Sequence, residues 1–112
     1  MDKEKIIKGS LSTIILQLIQ NNGQMYGYEI TKAVKEASKG KMLLNEAALY
    51  PSLHKLESEG MIETESKLVN GRMRKYYRLT QKGNQESIDQ LSILKEAITS
   101  LQNVLKYKLS YE

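Results

Sequence analysis

The chain has 112 residues, enough for one domain or for a small domain plus an oligomerising helix. Its net charge is +4, and it contains no cysteine, which excludes disulfides and thiolate zinc sites. No apolar run approaches the length that spans a bilayer, and the N-terminal residues lack the apolar core of a signal peptide. We therefore expect a soluble cytoplasmic protein with no membrane contact.

Two helices are predicted at the start of the chain from apolar residues at three- and four-residue spacing. The first covers about residues 6–22 and ends at Asn21-Asn22-Gly23, because Asn and Gly accept the left-handed conformation of a helix cap. Gln24-Met25 is too short to be more than a bridging strand. The second helix covers about residues 26–38. The opening of the chain is therefore predicted to be helical on both sides of a short extended link.

A third helix is predicted from Asn45, whose side chain can accept from a free backbone N–H at the helix start, to about Glu59. Pro51 lies beyond the position where proline is harmless, so we expect a local kink or distorted first turns. The core face carries three leucines, Leu49, Leu53 and Leu56. The opposite face carries Ala47, Pro51, His54 and Ser58, flanked by Tyr50 and Lys55. This outward face offers few donors and no arginine for a bidentate base contact.

Residues 71–80 are the most basic part of the chain, with four cationic side chains, two tyrosines and no acid. Asn70-Gly71 favours a type I′ turn, which would join two antiparallel strands over Met61 to Val69 and Met73 to Leu79. Alternation puts Met73, Lys75, Tyr77 and Leu79 on one face and Arg74, Tyr76 and Arg78 on the other. Since residues 57–65 are acidic, an anionic partner should meet a narrow basic site.

Thr80 is predicted to cap a last helix that extends nearly to the end of the chain. Five of its residues follow the 3-4-3-4 spacing of a coiled-coil seam, namely Leu91, Leu94, Ile98, Leu101 and Leu105, and Ile88 and Val104 widen the stripe. A two-fold dimer is the preferred interpretation, because nothing in the first 80 residues clearly remains to cover this seam. The alternative is a helix that folds back on its own domain.

The order helix, helix, helix, hairpin, helix indicates a mainly α fold with a small β-hairpin, the winged helix-turn-helix. We assign residues 1–80 to this domain and residues 81–112 to a C-terminal dimerisation helix. In such a fold the third helix enters the major groove of DNA. The predicted DNA-binding residues are Asn45, Ala47, Tyr50, Pro51, His54 and Lys55, together with the wing cations Arg72, Arg74 and Lys75. The predicted dimerisation residues are Ile88, Leu91, Leu94, Ile98, Leu101 and Leu105.

The favoured function is a sequence-specific regulator that binds duplex DNA as a homodimer at a near-palindromic operator, since phosphates attract Lys and Arg over long range. A second hypothesis is a protein-interaction module whose wing binds an acidic protein. An enzyme is disfavoured, because the chain has no phosphate-cradling glycine loop, metal-ligand cluster or nucleophile with a matching base. His54 is a lone histidine, and its alternative interpretation is an exposed residue that contacts nothing. We expect no catalytic residue, metal or cofactor.

Four segments resemble PadR-type bacterial transcriptional regulators. They are Leu11 to Ile19, Met25-Tyr26-Gly27-Tyr28-Glu29-Ile30, Glu46 to Gly60 with its Leu49-Tyr50-Pro51, and Gly71 to Thr80 with its Arg74-Lys75-Tyr76-Tyr77. The resemblance covers residues 9–83 almost continuously. It implies a homodimeric winged-helix repressor of bacterial genes, of the family's shorter size class. It also implies that the C-terminal helix packs against the first helix of the partner protomer.

The resemblance further implies roles for individual residues. Tyr50 and its neighbours in the third helix would touch DNA, and the wing cations would bind phosphate or the minor groove. Tyr28 and Glu29 would be structural. Some drug-responsive relatives hold planar drugs between tryptophans of the last helix, but this chain has no Trp or Phe and only Tyr107 and Tyr111 there. A small apolar effector stays open, and nothing in the sequence identifies one.

Overall fold

Within residues 2–108, which the computed structural model describes, the chain forms five helices and a three-stranded antiparallel sheet. The elements are α1 (Lys3–Gly9), α2 (Leu11–Asn22), β1 (Met25–Tyr26), α3 (Gly27–Ala37), α4 (Glu46–Ser58), β2 (Ile62–Val69), β3 (Arg72–Leu79) and α5 (Gln81–Leu105). Tyr111 and the end of the predicted dimerisation segment lie outside the described residues. The order confirms the winged helix-turn-helix, with α4 as recognition helix and β2–β3 as wing.

The single helix predicted over residues 6–22 is wrong, because the chain forms two helices separated at Ser10. The Ser10 N–H donates to the Ile7 carbonyl at 3.0 Å and closes α1. Gly9 and Ser10 are weak helix formers, which favours a break at this point. Ile7 and Leu11, on either side of the break, are both buried, so the apolar spacing continues across it. This continuity is why the pattern predicted one helix.

The hydrophobic core is formed where α2, α3 and α4 meet the inner face of the sheet. The most deeply buried members are Ile15, Leu16, Ile19, Ile30, Leu49, Leu53 and Ile62. Leu49, Leu53 and Leu56 point inward as predicted, and each buried leucine contributes about 1.5–3 kcal/mol to stability. Burial of this leucine face fixes the rotation of α4, and therefore fixes which residues it presents to solvent.

Helix α4 begins as predicted and runs without interruption through Pro51. The Asn45 side-chain oxygen accepts a hydrogen bond from the Ala48 N–H at 2.9 Å and caps the helix. The chain leaves the helix at Gly60, whose φ of +76° is a conformation that favours glycine. Pro51 thus lies within a continuous helix, on its exposed side.

The sheet has the order β1-β3-β2, so β3 is the central strand. Asn70 and Gly71 have φ values of +51° and +79°, which confirms the predicted type I′ turn between β2 and β3. Strand β1 pairs with β3 through Met25 opposite Tyr77 and Tyr26 opposite Tyr76. The hairpin is therefore anchored to the segment that immediately precedes α3.

Helix α5 contacts its own chain through small and polar side chains. The Thr80 hydroxyl accepts from the Gly83 N–H at 3.1 Å and caps the helix as predicted. Ser87 is buried against α2, where its hydroxyl donates to Gln20 at 2.8 Å. One turn further along, the Thr13 hydroxyl of α2 donates to Gln90 at 3.0 Å. Beyond this contact with α2, Leu91 and Leu94 are half-buried, and the later seam residues Ile98, Leu101 and Leu105 are exposed.

Replacing Gly83 should test the packing of α5 on the winged unit. A Cβ at this position would overlap the backbone carbonyl of Met61, which cannot rotate away. We expect Gly83→Ala to lower the free energy of unfolding by about 1–3 kcal/mol, measured by urea denaturation. Gly9→Ala is the matched control, since its Cβ would meet open space. Equal urea midpoints for Gly83→Ala and the wild type would contradict this packing.

Candidate nucleic-acid interface

The outward face of α4 is exposed and carries little charge, as the leucine spacing predicts. Its exposed residues are Ala47, Pro51, His54, Lys55 and Ser58. His54 and Lys55 project hydrogen-bond donors into solvent near the middle of the helix. Asn45 is also exposed, but its side-chain oxygen is already used by the helix cap. The face can therefore make apolar contacts and only a few polar ones.

Tyr50 connects α4 to the start of α3. Its side chain is 36% exposed, and its hydroxyl end lies directly against Gly27, the first residue of α3. A Cβ at residue 27 would overlap this hydroxyl, so any larger residue here would displace the Tyr50 ring. Tyr50 therefore packs on its own chain with part of its ring and leaves the remainder in solvent.

The two residues that follow Gly27 lie in different environments. The Glu29 carboxylate accepts a hydrogen bond from the Tyr26 N–H at 3.1 Å and closes the start of α3, which is the structural role expected of it. Tyr28 is also expected to be structural, but it is 60% exposed, so most of the residue lies in solvent.

The wing cations are not equivalent. Arg72 is exposed beside the turn and takes no part in the ion pairs found among the described residues. The Arg74 guanidinium carbon lies 4.1 Å from the centroid of the Tyr26 ring. On the opposite face, the Lys75 Nζ is 3.9 Å from the Glu57 carboxylate of α4. Arg72 is thus the wing cation with the fewest contacts to its own chain.

Arg78, the fourth cation of the hairpin, is bound by acids of the neighbouring strand. Its Nε donates to Glu63 and its Nη1 to Glu65, both at 2.8 Å. The hydrogen bond that Arg78 donates to Glu63 and the charges of both carboxylates raise the pKa of Arg78. The positive charge of Arg78 at the root of the wing is therefore more than balanced by two carboxylates, and the basic end of the wing is its tip. This ion pair can be predicted from the sequence, because a type I′ turn at residues 70–71 places residue 63 opposite residue 78.

Three tyrosines beside Arg74 form a cluster that the sequence patterns do not predict. The Tyr26 ring stacks on Tyr28 with a centroid distance of 6.4 Å, and it meets Tyr76 edge-on at 5.5 Å. Lys67 of β2 lies over the Tyr76 ring at 5.2 Å. The cluster forms because β1 pairs with β3, and no local sequence pattern in either strand predicts that pairing.

A family model described as "Transcriptional regulator PadR-like family" matches residues 15–88, which include the whole of this interface. The chain belongs to this family. It is 37% identical over 84 residues to an uncharacterised protein of Lysinibacillus sphaericus, covering 74% of this chain and 76% of that protein. It is 34% identical over 62 residues to the transcriptional regulator Rv3488 of Mycobacterium tuberculosis, covering 55% of each chain.

Solved structures of PadR-like proteins share the fold. A PadR-like transcriptional regulator of Bacillus cereus gives a TM-score of 0.78 at 28% identity, covering 93% of this chain and 99% of that chain. Bacillus subtilis PadR, solved in complex with operator DNA, gives 0.66 at 34% identity, covering 72% of this chain and 45% of that chain. The family consists of transcriptional regulators rather than enzymes. Among the described residues, no helix has the length and apolar character needed to cross a membrane.

The contact between Tyr50 and Gly27 should appear as a coupling between the two residues. Gly27→Ala should destabilise the wild type by about 1–2 kcal/mol, because its Cβ must displace the tyrosine. In a Tyr50→Ala background the same substitution should not destabilise, since the clash is removed and alanine is the better helix former. Urea denaturation of the four proteins measures the coupling energy. Equal effects of Gly27→Ala in both backgrounds would show that the two side chains do not meet.

Proposed function

We propose that this PadR-like regulator is a repressor that binds duplex operator DNA as a homodimer at a near-palindromic site. The observation that supports the proposal is the junction of the two DNA-facing elements. The Arg74 guanidinium of the wing lies over the Tyr26 ring. The residue after Tyr26 is Gly27, which contacts the side chain of Tyr50 in the recognition helix α4. The outward face of α4 and the basic wing are thereby held beside each other by direct side-chain contacts.

In the proposed binding mode, α4 and the wing contact different parts of the DNA. The exposed face of α4 enters the major groove, where Tyr50, His54 and Lys55 can donate to base edges or phosphates. Ala47 and Pro51 lie in the N-terminal half of the same helix and supply apolar contact, and Asn45 lies at its N-cap, where its side-chain amide N–H₂ can still donate. The wing cations meet phosphates or the minor groove. With few base-reading groups, sequence preference depends partly on DNA shape, while affinity depends on the wing.

The comparison with a DNA complex supports this mode. Bacillus subtilis PadR was solved with operator DNA, and it matches 72% of this chain at 34% identity. The family model also covers both α4 and the wing. The shared fold, the family match and the basic residues at the wing tip therefore all support binding to DNA.

Helix α5 supports the homodimer. Beyond Gln90, which makes the last polar contact with α2 among the described residues, the seam residues become more exposed towards the C-terminal end. Leu91 and Leu94 are half-buried, whereas Ile88, Ile98, Leu101 and Leu105 are exposed in the single chain. An exposed apolar row at coiled-coil spacing favours association with a second copy, and a two-fold pair presents two recognition helices to two half-sites.

Removing the positive charge at the wing tip should weaken DNA binding. We expect Arg72→Gln to lower affinity for a promoter fragment of the regulated gene about tenfold, because one charge-assisted phosphate contact is lost. The slope of log affinity against log salt should fall by about one. Fluorescence anisotropy at several salt concentrations measures both quantities.

Lys82→Gln is the matched control for charge. Lys82 is an exposed cation outside the wing, and its Nζ donates to the Glu59 carbonyl at 2.9 Å. Equal losses for the two variants would mean that only net charge matters, which contradicts a wing contact. Wild-type protein that binds no DNA fragment below about one micromolar, where non-specific binding begins, would contradict the proposed function. Transcription from a reporter should rise when the gene for the regulator is deleted, and a fall would identify an activator.

Charge placed in the seam should separate the dimer. Leu101→Glu should give a monomer in size-exclusion chromatography with light scattering, because two carboxylates would replace two buried leucines. Ile93→Glu is the matched control, since Ile93 is 66% exposed on the same helix but lies off the 3-4-3-4 spacing. The same mass for both variants would show that this seam does not form the interface.

A further inference from the structure

The side chain of Arg74 is held on an aromatic platform. Its guanidinium carbon lies 4.1 Å from the centroid of the Tyr26 ring, the close approach of a stacked cation–π contact. The Tyr26 ring is itself supported, with Tyr28 stacked on it at 6.4 Å and Tyr76 edge-on at 5.5 Å. Arg74 forms no ion pair with a described residue, which distinguishes it from Arg78.

We propose that Tyr26 is a positioning residue for DNA binding, which holds the Arg74 guanidinium in the orientation that meets a DNA phosphate. The inference rests on the proposed function, because it requires that the wing contacts DNA. Tyr26 does not itself touch the phosphate in this arrangement. It acts through Arg74, and it therefore affects affinity without changing the charge of the interface.

The physical basis is the planar shape of the guanidinium group. A guanidinium that stacks through its face keeps the N–H donors on its edge free, and these donors fit a phosphate in a two-point contact. A long cationic side chain loses rotamer freedom when it binds, and a side chain that is already oriented loses less. Within residues 2–108, no aromatic ring lies against Arg72 at the tip, so the two arginines should respond differently to loss of Tyr26.

The platform is fixed by the backbone on both sides. Tyr26 pairs with Tyr76 in the sheet, and its N–H is bound by the Glu29 carboxylate at the start of α3. The next residue, Gly27, lies against Tyr50 of α4. The orientation of Arg74 is therefore tied to the position of the recognition helix, and the wing and α4 are presented to DNA at a fixed separation.

The test measures binding of one promoter DNA fragment to a set of variants by fluorescence anisotropy. We expect Tyr26→Leu to lower affinity about three- to tenfold, and Tyr26→Phe to restore it, because phenylalanine keeps the ring. Arg74→Lys should show a similar loss although its charge is unchanged. In an Arg74→Ala background, Tyr26→Leu should cause no further loss. Tyr107→Leu is the matched control, because Tyr107 is an exposed tyrosine outside the wing, the recognition helix and the platform.

Several outcomes would overturn the inference. Wild-type affinity for Tyr26→Leu or Arg74→Lys would show that the stack does not contribute. A full additional loss from Tyr26→Leu in the Arg74→Ala background would show that Tyr26 acts independently of Arg74. If Tyr26→Phe lost as much as Tyr26→Leu, the hydroxyl would be a direct contact. Wild-type protein that binds no DNA overturns the proposed function and this inference together, whereas the other outcomes overturn the inference alone.

A measurement without DNA guards against misfolding of the leucine variant. In a proton NMR spectrum, the Arg74 δ protons should be shifted upfield by the Tyr26 ring in the wild type and in Tyr26→Phe. The shift should disappear in Tyr26→Leu while the rest of the spectrum is retained. An Arg74 with random-coil shifts in the wild type would overturn the inference.

Discussion

The central position of β3 is the constraint on which the rest of the structure depends. Because side chains alternate across a strand, β3 presents Tyr77 to the core and Arg74 and Tyr76 to solvent. Both of its edges are paired, with β1 on one side and β2 on the other. A slip of one residue would expose Tyr77 and bury an arginine, which is strongly unfavourable. This penalty fixes the register of the hairpin, and with it the place where the wing projects beside α4.

Internal ion pairs reduce the charge that the hairpin presents, and they do so unevenly. Arg78 is paired with two carboxylates, Lys75 with one, and Arg72 with none among the described residues. Exposed pairs of this kind contribute about 0–1 kcal/mol to stability, so they mainly set side-chain direction and local potential. A phosphate that approaches Lys75 competes with one acid, whereas at Arg78 it meets two. The proposed DNA contact is therefore confined to the tip and middle of the wing.

Features that depend on one or two adjacent residues were predictable from the sequence. The turn at Asn70-Gly71 and the cap at Asn45 are examples, and the leucine spacing gave the outward face of α4. The break at Ser10 was not predictable, because apolar spacing continues through a single non-helical residue. The contacts of Arg74 and Tyr50 depend on which distant segment packs beside them. Local periodicity contains no information about that long-range register, so it does not distinguish the surroundings of Arg72, Arg74 and Lys75.

Helix α5 has two surfaces with different roles, one that packs on its own chain and one that is proposed to form the dimer. Its first turns pack on the Met61 backbone through Gly83 and on α2 through Ser87, and the 3-4-3-4 apolar spacing starts at Leu91. A helix of 25 residues is about 37 Å long, and no glycine or proline follows Gly83 within it. In the proposed dimer, the distance between the two winged units is then set by helix packing rather than by a flexible linker. Half-sites one turn of DNA apart need a fixed separation of about 34 Å, and a continuous helix provides that rigidity independently of the wing.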